Sequence, residues 1–124
     1  MRPPGWPARV ADPDSAEFPE SATRWLWDVG SIERSPVSVW ARHPRALAFR
    51  VACDLEARVE GARAAYARAR TVLAEAGLDP EEALRALEAE AADLQRLQRE
   101  VAMVVEALLL LVWHRRTGRG LPPR

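Results

Sequence analysis

Few residues of this chain could carry chemistry: His43, His114, Cys53, several carboxylates at helical spacing and a group of arginines. Two imidazoles and a thiolate are zinc-type ligands, but a catalytic zinc site takes about three protein ligands and a structural one about four. His43 and Cys53 are ten residues apart, about 15 Å on a helix rising 1.5 Å per residue, so these groups do not form a ligand set. His43 reads instead as the residue entering a helix ahead of Pro44, and His114 as a partner for the dipole of a helix C-terminus. Cys53 reads as a small core residue with no sign of reactivity.

General acid–base catalysis needs a carboxylate or imidazole held beside the reacting group. Glu56 and Glu60, like Glu88, Glu90 and Asp93, have the spacing of a solvated helix face, and no carboxylate is paired with a histidine in the expected core. The six glycines are scattered and form no phosphate-cradling loop. No catalytic, cofactor-binding or metal-ligating residue is expected, and the chain does not read as an enzyme.

The elements that position these residues follow from one turn. In Ala76-Gly77-Leu78-Asp79-Pro80-Glu81-Glu82 a helix stop and a helix start nearly touch. Gly77 can take the left-handed conformation that closes a helix, Asp79 can cap the next one, Pro80 suits its first position, and Glu81 and Glu82 favour its positive end. The expected fold is therefore all-α: a long antiparallel helical hairpin, coiled-coil-like, with helices over 44–76 and 80–116 joined by a turn at 77–79.

Both arms carry sustained apolar rows at alternating steps of four and three. The first is Ala48, Ala52, Leu55, Val59, Ala62, Tyr66, Ala69, Leu73 and Ala76; the second is Leu84, Leu87, Ala91, Leu94, Gln98, Val101, Val105, Leu108 and Val112. Folding at the turn sets Leu73 near Leu84, Tyr66 near Ala91, Leu55 near Val101 and Ala48 near Leu108. Charge agrees: Ala41 to Ala76 holds seven arginines against four acids, and Gly77 to Trp113 three against eight. Exposed pairs are worth only about 0.2 to 1 kcal/mol each, so this asymmetry selects the partner more than it stabilises the fold.

Pro3, Pro4, Pro7 and Pro13 interrupt residues 1–18 and Pro19 follows them, so this stretch is expected to be extended or disordered. Residues 19–43 should form accessory short helices: one ends at Gly30 with Ala22, Trp25, Leu26 and Val29 on one face, and another is capped by Ser35 with Pro36 in its first turn. Four of the five tryptophans lie at or before position 40, so part of this segment should pack on the hairpin. Residues 117–124 are expected to be a flexible basic tail.

The open end of the hairpin is unlike the rest. Val101 to Trp113 is apolar nearly all round apart from Glu106, and Ala46 to Cys53 opposite is similarly broad. The run is shorter than the roughly twenty residues a membrane span requires. Two covers suggest themselves: the tryptophan segment on one flank, and a second copy of the chain on the other. The expected interaction surface is Leu47, Phe49, Val104, Leu109, Leu110 and Trp113, within a homodimer or against another helical protein. Arg42, Arg45, Arg50, Arg115 and Arg116 also converge there as a basic pole. It offers the alternative reading of a nucleic-acid or anionic-surface binder, although the chain's formal net charge is zero and acids of the N-terminal segment are expected to neutralise part of this pole.

One cysteine cannot form an internal disulfide, and residues 1–7 lack the apolar run of a signal peptide, which points to the cytoplasm. The expectation is thus a non-enzymatic coiled-coil interaction or assembly module.

Overall fold

The structure is a computed structural model that describes residues 1–33 and 38–117, with side chains as far as 111. Among these residues four helices follow in order: α1 (Phe18–Val29), α2 (Val39–Arg42), α3 (Pro44–Glu75) and α4 (Pro80–Thr117). There is no strand among the described residues. Helices α3 and α4 form the hairpin, α1 packs against both of them, and α2 packs on α3.

The bend is built as its residues require. Gly77 has φ 77°. Its N–H donates to the Ala74 carbonyl at 3.0 Å and that of Leu78 to the Leu73 carbonyl at 2.9 Å. These two bonds satisfy carbonyls that the end of α3 would otherwise leave without partners. Two residues on, Asp79 Oδ1 accepts the Glu81 N–H at 3.0 Å, so α4 starts without a gap in its backbone bonding. Across the arms, Arg70 pairs with Glu81 and the Tyr66 hydroxyl lies 3.2 Å from Glu88 Oε1. The remaining ion pairs described on α3 and α4 run within a single helix. The charge difference between the arms thus acts through few direct contacts.

The core stripe of α3 is rotated from the expected row. Its buried residues are Leu47, Ala48, Val51, Leu55, Val59, Ala62 and Ala69, while Ala52 and Tyr66 are exposed. A two-helix seam alone would have kept Ala52 inside. The third layer, α1, widens the buried stripe toward Leu47 and Val51 and leaves Ala52 on the opposite edge. Cys53, expected in the core, is exposed: two positions from both Val51 and Leu55, it falls on the side of α3 opposite the buried stripe.

Residues 1–17 are folded, not extended or disordered. Turns close through Trp6 N–H to the Pro3 carbonyl at 3.0 Å, Val10 N–H to Pro7 at 3.2 Å and Ser15 N–H to Asp12 at 2.9 Å. The prolines that exclude a helix here suit such turns, and Pro7 and Val10 are buried. The short helix α2 is capped by Ser38, whose Oγ accepts the Ala41 N–H at 3.3 Å. Ser35 and Pro36 lie outside the described residues.

The core is thickest at the open end, where Val10, Phe18, Trp25 and Leu26 join Leu47, Val51, Leu55, Val101, Val104 and Leu108. Toward the bend it thins to single buried residues, Ala69 and Leu84.

Candidate interaction surface

The open end of the hairpin has two flanks, and the chain covers one of them itself. Helix α1 turns Phe18, Ala22, Trp25 and Leu26 inward, one apolar residue per turn or so, as an amphipathic helix must. The Trp6 ring sits 5.7 Å from that of Phe18 at 48°, and its indole N–H points at the Val10 and Ala11 carbonyls at 3.1 and 3.2 Å. Ser21 Oγ accepts the Ala11 N–H at 2.9 Å and approaches the Phe18 carbonyl at 3.2 Å, tying the turns to α1.

Polar contacts at the end of α1 fix its position on α3. Arg58 donates to the Val29 carbonyl at 3.0 Å, where a helix presents bare carbonyls, and Asp54 Oδ2 accepts the Ser31 N–H at 3.2 Å. Arg9 pairs with Asp28 at 2.7 Å. At the outer edge the Met1 ammonium lies 2.7 Å from both Asp12 and Asp14. The hydrogen bond to Asp12 is the main cause that raises the ammonium's proton affinity, and the same bond lowers the pKa of Asp12, helped by the Asp14 backbone N–H.

The second flank is left open by the described residues. There α3 and α4 leave a groove of about 290 Å³ lined by Ala48, Ala52, Val105 and Leu108, with Phe49, Leu109 and Arg45 around it. Small residues on α3 make the hollow. Phe49 is 63% exposed and Leu109 45%, so two large apolar side chains stand in solvent around an apolar floor. Burial of such a side chain is worth about 1.5 to 3 kcal/mol, so this surface is costly to leave wet.

Of the residues expected to form an interaction surface, Phe49 and Leu109 flank this groove, and Leu110 is half-buried. Leu47 and Val104 are corrections: both are fully buried in the chain's own core, in the cluster that contains Phe18, Trp25 and Leu26. Trp113 lies beyond the described side chains. In the basic pole, Arg42 and Arg45 are exposed and Arg50 is half-buried, all on the end where α4 finishes; the side chains of Arg115 and Arg116 also lie beyond those described. His43 forms the junction of α2 and α3, donating its N–H to the Val39 carbonyl at 3.1 Å and accepting from Leu47 at 3.0 Å through its own carbonyl. No group of three or more potential metal ligands comes together among the described residues.

Sequence reasoning missed Trp6, Pro7 and Val10 as part of the covering layer, and placed Ala52 inside the seam instead of in the groove. The aromatic pair Trp6 and Phe18 was the available signal for the first. Alanine at a seam edge carries none.

Among the described residues no helix is long and apolar enough to cross a membrane. Compared with protein-family models, with curated proteins and with solved structures, the chain matches none of them.

Proposed function

We propose that this chain is a non-enzymatic interaction module that assembles with itself through the open apolar groove at the free end of the hairpin. The observation that carries the reading is the asymmetry of the two flanks: one is sealed by α1 and the turns before it, while the other leaves Phe49 and Leu109 around an apolar floor. Contiguous exposed apolar surface of this kind marks contact sites in soluble proteins. The single cysteine fits a reducing compartment such as the cytoplasm.

Light scattering on the full chain and on Phe49→Glu and Leu109→Glu tests this. Both side chains are exposed, so the variants keep the helical fold. The expected result is a wild-type dimer and monomeric variants with unchanged circular dichroism; a monomeric wild type at tens of micromolar would overturn the reading.

A further inference from the structure

On the groove side of α3, the residues Arg45, Phe49, Ala52 and Glu56 follow at steps of four, three and four and are all exposed. At that spacing they form one strip along the helix. It reads positive, large apolar, small apolar, negative. No ion pair among the described residues engages Arg45 or Glu56, whereas Arg58, Arg63, Arg70 and Arg96 are each paired.

We infer that the occupant of the groove is the same groove of a second copy, docked about a two-fold axis that crosses α3 midway between Phe49 and Ala52 with the two α3 helices antiparallel. The inference rests on the self-association reading and specifies its geometry. One placement of the axis meets both requirements of the strip. It sets Phe49 against Ala52 of the second copy, a bulky ring over a position without bulk, and it sets Arg45 against Glu56. By symmetry each contact occurs twice, as an isologous interface demands. A parallel arrangement in the same register would place Arg45 on Arg45, Glu56 on Glu56 and ring on ring, which like-charge repulsion disfavours.

The second arm agrees with the same axis. Ala52 shares the groove with Val105, and Ala48 with Leu108. The axis that bisects α3 between Phe49 and Ala52 therefore crosses α4 between Val105 and Leu108 and lays the groove floor of one copy over that of the other, with the exposed Leu109 at its edge. Both apolar floors are covered in one step, and the covering layer on the other flank is undisturbed.

Charge reversal tests the register. Sedimentation equilibrium would be run on the full-length wild type, Arg45→Glu, Glu56→Arg, the double variant, and an equimolar mixture of the two single variants. Each single reversal turns two attractive contacts per dimer into two repulsive ones and should weaken dimerisation about tenfold. The double variant should return to within about twofold of wild type, and the mixture should form a heterodimer tighter than either single variant alone. A second pair of variants reads the apolar contact: Phe49→Ala weakens the dimer and Phe49→Ala with Ala52→Phe restores it. A wild-type dimer that is indifferent to both single reversals, or single defects that the double variants do not repair, overturns this docking while self-association stands. A monomeric wild type overturns both.

Discussion

Gly30 and Val51 touch so closely that a Cβ on Gly30 would lie 2.9 Å from Val51 Cγ2. Gly30 ends α1 with an extended backbone, φ −78° and ψ 150°, that any residue could adopt, so the glycine is required by proximity and not by its conformation. It lets the end of α1 settle on α3 next to the Arg58 and Asp54 contacts. Gly30→Ala gains roughly 0.4 to 1 kcal/mol from a less flexible unfolded chain. Overpacking against a buried valine costs about 1 to 3 kcal/mol, and it prevails. The expected net loss is about 1 to 2 kcal/mol in urea unfolding. Coupling with Val51→Ala in a double-mutant cycle distinguishes this clash from a general effect at the helix end.

Phe18 is the largest fully buried side chain of the covering layer, so Phe18→Ala should cost about 3 to 5 kcal/mol. Trp6 is half-buried; Trp6→Ala should cost about 2 kcal/mol, from lost ring packing and two carbonyls left without the indole N–H. Tryptophan fluorescence together with thermal unfolding would separate the two. Equal stability of Phe18→Ala and wild type would mean that the N-terminal turns do not pack as described.

The Met1 ammonium and Asp12 give the outer turn a defined pH window. Asp12 has its pKa lowered from 3.8, so its contribution is present above that value and fades as pH falls through the lower folded-state value. The ammonium has its pKa raised from 8.0, so its contribution is present below 8.0 and fades as pH rises through the higher folded-state value. Both contributions are in place between those two ordinary values. Acetylating the N-terminus should move the Asp12 titration, followed by carboxyl carbon NMR, back up toward 3.8. An unmoved titration would show that the contact does not form in solution.

Cys53 is exposed on α3, near Phe49 and Ala52 in sequence. A thiol in that position should react with Ellman's reagent in the native protein as rapidly as in the urea-unfolded chain, within about a factor of ten. Reaction only upon unfolding would place it in a buried environment instead.

The hairpin was legible because its bend is specified locally. Gly77, Asp79 and Pro80 each answer a need of one backbone position, and the apolar rows on either side then set the register that places Ala48 beside Leu108. Nothing local to residues 1–17 determines their packing. Pro7 and Val10 are buried by packing onto the rest of the chain, which their own turns do not encode. The broad apolar stretches near Phe49 and Leu109 announced burial on several sides without saying which flank the chain would cover. That depended on how α1 met α3, and so on Gly30, Asp54 and Arg58. Leu47 and Val104 were consequently expected outside and lie within.

The thinning of the core toward the bend makes this a molecule with a graded interior. Beyond Ala62 and Leu94, Ala69 and Leu84 are the buried residues among those described, with Leu73, Leu87 and Ala91 half-buried and a few contacts between polar side chains. Regions with so little buried surface open at low free energy without unfolding the rest. The tip of the hairpin can therefore separate and close again while the three-layered base stays intact, like tongs hinged at the wrong end. A protease limited in amount would nick the chain first near Leu78 and leave two fragments still joined by the base.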